Sequence, residues 1–146
     1  MNRQFLSRPS NSLWIRFLRV NIFSNKKLQA ELEKIGLTAP QYYVLATLGY
    51  SGGLPFGEIG AKMMVTVSNL TGIVDRLEEK GLVVRERDKH DRRVIHVKPT
   101  DKGTKLFKVA IAAFEKSVAR IFSSLDDAEQ KELTHLLRKL LRGPKT

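Results

Sequence analysis

No cysteine occurs anywhere in the 146 residues. That excludes disulfide staples, thiolate metal sites and thiol-based redox sensing, and it is compatible with a reducing compartment. No apolar run approaches the roughly 18 residues a membrane span requires. The start, MNRQFLSRPSNS, has no apolar signal-peptide core. The chain therefore reads as soluble and cytoplasmic, with no membrane partner. Negative charge is scarce too: 15 acidic side chains face 26 basic ones, a formal net charge of +11. A surface so biased attracts polyanions. At this length one domain fits and two independent cores hardly do.

The excess charge is localised. Residues 36–84 carry three basic and four acidic side chains, whereas 1–35 carry seven and two, 85–98 six and three, and 99–146 ten and six. A nearly neutral middle flanked by basic segments, without runs of like charge, fits basic patches on a folded surface better than a disordered tail.

Apolar side chains at Leu13, Phe17, Val20, Leu28, Leu32 and Ile35 recur at mostly helical spacings, so 11–35 reads as an amphipathic helix stopped at Gly36. Thr38 caps a second helix with Pro40 in its first turn. SGGLPFG is a loop. EIGAKMM and VSNLTGIVDRLEEK read as two short helices, the latter ended by Gly81. The period then changes: LVVRERD and RVIHVKP, rich in Val and Ile and separated by a polar turn, predict a β-hairpin. Thr100 and Asp101 open a helix bearing Leu106, Val109, Ala110, Ala113, Phe114, Ile121 and Phe122. Asp126 and Glu129 stand in capping-box spacing before leucines at 133, 136, 137, 140 and 141, and Gly143 and Pro144 close the helix. Helices dominate, with one small hairpin, in the order α-α-α-α-β-β-α-α. Two short helices followed directly by a hairpin make a winged helix-turn-helix.

In the fourth helix Leu70, Ile73, Val74 and Leu77 share an inward face. Ser68, Asn69, Gly72, Asp75, Arg76 and Glu79 gather opposite, the acidic Asp75 and Glu79 further along, with Thr71 to one side and Thr66 at the helix start. Short hydrogen-bonding side chains at the start of such a helix suit base edges in the major groove, and Gly72 lets the backbone come close. An ordinary surface helix with a polar face fits the same residues. The hairpin turn favours the first reading: Lys89, Arg92 and Arg93 sit on its tip, where an arginine reaches a minor groove. Asp91, and Asp88 before it, make sense if one pairs with a neighbouring arginine and holds the tip in shape.

The series T..VDRLE.KGLV.R....D.R......T..G, read at Thr71, Val74–Glu78, Lys80–Val83, Arg85, Asp91, Arg93, Thr100 and Gly103, resembles the MarR family of transcription regulators. The motif covers about 37–103, and helix order covers the rest. The resemblance implies a winged-helix lobe at 37–103 and a helical dimerisation region from 1–36 and 104–146. It implies a homodimer on double-stranded DNA, a repressor at a pseudo-palindromic operator. It also implies Arg93 in the minor groove, Thr71 facing DNA, and a small aromatic or acidic effector that releases the operator. Relatives often carry a larger, frequently basic residue at the position of Gly72. The dimer accounts for Phe5, Leu6, Trp14, Phe17, Phe23 and the C-terminal leucines, more apolar surface than one small lobe buries.

For the effector the sequence offers Trp14, Arg16, Phe17, Tyr42 and Tyr43; dimer-interface core is the plainer use of Trp14 and Phe17. His90, His96 and His135 are not in metal-ligand spacing, so no metal or cofactor is expected. GGLPFGEIG lacks the Gly-Lys-Ser/Thr ending of a phosphate loop and follows no strand, so no enzyme is expected. The rivals are a winged-helix module for protein interaction and a basic protein that coats DNA without regard to sequence.

Overall fold

Four of the six helices among the described residues begin at a side chain suited to the position. Thr38, Thr66, Thr100 and Asp126 each accept a hydrogen bond from a first-turn backbone N–H, a contact that stabilises a helix start by about 1 kcal/mol. At Thr38 and Asp126 the bond is reciprocated: the Gln41 and Glu129 side chains accept from the capping residue's own N–H at 3.1 and 2.9 Å. The structure, a computed structural model, describes residues 8–143. Phe5, Leu6 and Pro144 lie outside the described residues. The order is α1 Pro9–Glu33, α2 Ala39–Gly49, β1 Leu54–Pro55, α3 Phe56–Met63, α4 Val67–Glu79, β2 Val83–Arg87, β3 Ile95–Pro99, α5 Asp101–Phe122 and α6 Asp127–Leu141.

The hairpin forms between β2 and β3 with Arg85 opposite Val97. The segment read as a plain loop differs: Leu54 and Pro55 pair with Val97 and His96, making a three-stranded antiparallel sheet in the order β1-β3-β2. Two residues are too few to show alternation. Proline, lacking an N–H, is tolerated because β1 is an edge strand. The helix after it starts at once, at Phe56.

The core lies where α2, α3, α4 and the sheet meet. Val44, Leu45, Leu48, Ile59, Leu70, Val74, Leu77 and Val97 are fully buried. Leu28 and Leu32, from the last turns of α1, join it. The link to α5 is tight. Gly81 takes a left-handed conformation (φ 66°), and the Thr100 hydroxyl donates to its carbonyl at 2.8 Å. The Thr100 N–H donates to the Leu82 carbonyl at 3.0 Å. A Cβ on Gly103 would overlap that carbonyl. The Thr100 and Gly103 of the motif are thus what lets α5 leave the sheet at this angle. On α5, Phe107 is buried against Gly49, whereas Val109 of the expected stripe is exposed.

The terminal helices are different. Leu13, Trp14, Phe17, Leu18, Val20, Ile22 and Phe23 of α1 are exposed, and α6 has no buried residue at all.

Candidate nucleic-acid interface

Rotation of α4 is fixed by Leu70, Val74 and Leu77, each wholly buried; Ile73 is half-buried at the edge of that face. Thr66, Ser68, Asn69, Thr71, Gly72 and Arg76 are consequently all exposed. The turn before α4 is set by Met64, the left-handed end of α3 (φ 54°). The side chains are not equally free. The Thr66 oxygen accepts from the Asn69 N–H at 3.3 Å, and the Thr71 hydroxyl donates to the Val67 carbonyl at 2.9 Å. Among the described residues no such bond engages the side chains of Ser68, Asn69 and Arg76, which stand open to solvent.

Nothing lies within 4 Å of where a Cβ on Gly72 would stand, so packing within the chain does not require glycine there. Gly72→Ala is expected to stabilise the free protein by up to about 1 kcal/mol through helix propensity while lowering affinity for DNA. Thermal unfolding and a DNA titration on the same preparation check the two opposite signs.

Two of the three acidic residues of α4, Asp75 and Glu78, have a partner that periodicity does not reveal. Arg85 of β2 donates to Glu78 at 2.5 Å and to Asp75 at 2.7 Å, and its guanidinium lies over the Phe56 ring at 5.7 Å. The Glu78 carboxylate also accepts the Arg85 N–H at 3.2 Å. Arg85 is a strut between the hairpin and α4, and it offsets two negative charges on that helix. Its presence in the motif was visible, but the pairing across α4 and β2 was not. Arg85→Ala is expected to cost about 1.5–3 kcal/mol, the range for bonds to charged groups, and to weaken DNA binding. Unchanged urea unfolding would contradict the strut.

The wing tip is built on its two aspartates. Asp88 accepts the N–H groups of His90 (2.7 Å) and Asp91 (3.0 Å), and its other oxygen meets His96 Nε2 at 3.1 Å. Those bonds, led by the one from Asp91, hold its carboxyl below the usual range. Asp91 accepts from the Arg93 N–H and Nε, each at 3.0 Å, and from Nη2 at 2.9 Å. The Arg93 side chain holds the Asp91 carboxyl low. Arg93 nonetheless stands 90% exposed, while Lys89 and Arg92 are exposed and make no hydrogen bond or close ion pair through their side chains among the described residues. The two acids shape the turn and aim the cation, and three positive groups remain at the tip.

The five residues read as an effector site are not brought into one group. Tyr42 is buried, its ring 4.7 Å from that of Phe114, and burial pushes its phenol up to about 12. Trp14 and Phe17 stack on each other at 6.1 Å, about half exposed, and Arg16 bonds back to Ser12. Neither ring meets those of Tyr42 or Tyr43 among the described residues. Tyr43 instead lines an open cleft with Asn25, Lys26, Gln29, Ala39 and Pro40 at the α1–α2 junction.

A model described as the MarR family matches residues 37–95. Among curated proteins, the chain is 37% identical over 125 residues to the HTH-type transcriptional repressor MdtR of Bacillus subtilis (strain 168), spanning 83% of this chain and 81% of that protein. A mutant MarR from E. coli solved with operator DNA superposes with a TM-score of 0.85 at 25% identity, covering 96% of this chain and 99% of that one. AbsC, a MarR family transcriptional regulator from Streptomyces coelicolor, gives 0.84 at 26% identity, covering 94% and 97%.

Proposed function

The chain belongs to the MarR family of non-enzymatic, DNA-binding transcriptional regulators, and from that premise we propose that it is a repressor acting as a homodimer on a pseudo-palindromic operator. The observation that carries the reading is one surface with two readers. The unengaged Ser68, Asn69 and Arg76 side chains of α4 stand with Thr66, Thr71 and Gly72, and beside them is a wing that projects Lys89, Arg92 and Arg93. The α4 residues enter the major groove, and the wing grips the adjacent minor groove and phosphates. Asp91 positions Arg93. The dimer is made by α1, α5 and α6, whose exposed apolar side chains meet their counterparts. Two-fold symmetry then sets half-sites about one helical turn apart. The dimer works in the cytoplasm.

Selection from a random duplex pool tests this. The expected winner is two-fold symmetric and is bound at least ~10³ times more tightly than a scrambled duplex at physiological salt. Equal binding to both would indicate a sequence-blind coat, and binding to neither would favour a protein-interaction module.

The α1–α2 cleft supports a second element, release of the operator by a small aromatic or acidic molecule. Tyr43 offers a ring face and Lys26 a cation to a carboxylate at the seam between dimer helices and lobe. Thermal shifts across a panel of aromatic acids, followed by operator release, test it.

A further inference from the structure

We propose that an apolar lip, formed by Met64, Val67 and the methyl group of Thr71, reads the C5-methyl groups of thymine in each half-site. The proposal rests on the reading that α4 enters the major groove, and it names what the helix selects there beyond hydrogen bonds. Outside α1, α5 and α6, the three most exposed large apolar side chains among the described residues are Met64 (87%), Tyr50 (77%) and Val67 (67%). A single exposed apolar residue is ordinary. Two of these three, however, fall within four consecutive residues at the edge of α4, among the polar readers Thr66, Ser68 and Asn69.

Thr71 adds to them. It lies one turn beyond Val67 on the same face of the helix, and its hydroxyl proton is spent on the Val67 carbonyl at 2.9 Å. What it has left to offer is its methyl and the acceptor lone pairs of the hydroxyl oxygen; of the two, only the methyl matches the apolar character of Met64 and Val67. A site meant to read only donors and acceptors gains nothing from this trio. In the major groove the one apolar mark that any base pair presents is the thymine methyl, and small apolar or threonine side chains are what contact it. That chemistry fixes the occupant.

The test is atomic. In the selected duplex each thymine is replaced, one at a time, by deoxyuridine, which removes the methyl and leaves every hydrogen-bonding group in place. The wild-type protein is expected to lose about fourfold in affinity per methyl read, the worth of one buried carbon group, at one or more positions in each half-site. In Val67→Ala, Thr71→Ser or Met64→Asn the penalty at the matching position is expected to vanish. Thr71→Ser keeps the hydroxyl that bonds to Val67, and Met64→Asn suits the left-handed backbone, so these changes alter the lip without disturbing the turn. Deoxyuridine tolerated at every position would overturn the proposal, as would a penalty that persists in all three variants. Failure to select any specific duplex would overturn the major-groove reading as well, which separates the two.

Discussion

Replacing Leu136 and Leu140 together by aspartate is expected to turn a dimer into monomers and to lower affinity for the full operator about 10²–10⁴-fold, the loss that follows when two linked contacts become independent. The two leucines lie one turn apart on α6 and are 46% and 63% exposed. No residue of α6 is buried, and an isolated helix of this length is marginal in water. Exposed Leu13, Trp14, Phe17 and Phe23 on α1 enlarge the apolar surface beyond what a monomer ordinarily leaves open. The lobe core draws on neither leucine, so the variant's lobe is expected to keep its fold. Sedimentation velocity and an operator titration check the outcome. A variant that stays dimeric, or a monomer with undiminished affinity, would contradict the α6 interface.

The second large effect belongs to the wing. Arg93→Ala is expected to cost about 1–3 kcal/mol of DNA affinity per wing and to reduce the salt slope of binding by about one per charge lost. Arg93 is held at three points by Asp91 and is 90% exposed, so its order costs little further entropy on binding. Arg93→Lys is expected to restore the salt slope but only part of the affinity, because a point charge lacks the planar fork that fits a narrow groove. Asp91→Ala should weaken binding too, although it removes a negative charge near phosphate. If Asp91→Ala binds more tightly, the acid is a plain electrostatic cost and not a positioning group. Titrations at several salt concentrations separate these cases.

How legible this was in the sequence depends on the range of the interaction. The caps at Thr38, Thr100 and Asp126 involve partners three residues away, and the buried face of α4 repeats every turn, so local reading reaches them; Thr66, read from sequence only as a groove-facing residue, also caps α4. Glycines at 36 and 81 stop their helices with positive φ, as their positions imply. What escaped depends on which elements meet. Arg85 reaches back across a helix end to Asp75 and Glu78. Two residues of β1 acquire strand character only from β3. The effector group shows the same limit. Trp14 and Phe17 lie eight or more residues before the α1 stretch that lines the cleft with Tyr43, about 12 Å along the axis at 1.5 Å per residue. Periodicity placed Phe17 on the apolar side of α1, but did not show how far the helix runs past the lobe.

The central claim is that two lobes on one rigid dimer read two half-sites on one face of the duplex. Its most direct test is to insert five base pairs between the half-sites of the selected operator. Half a helical turn moves one half-site to the opposite face of the DNA, and the account predicts that affinity falls to near that of a single half-site, while ten inserted base pairs restore the facing but not the spacing. Undiminished binding to the five-base-pair insertion would mean that the lobes bind independently, and the dimeric reading would be wrong.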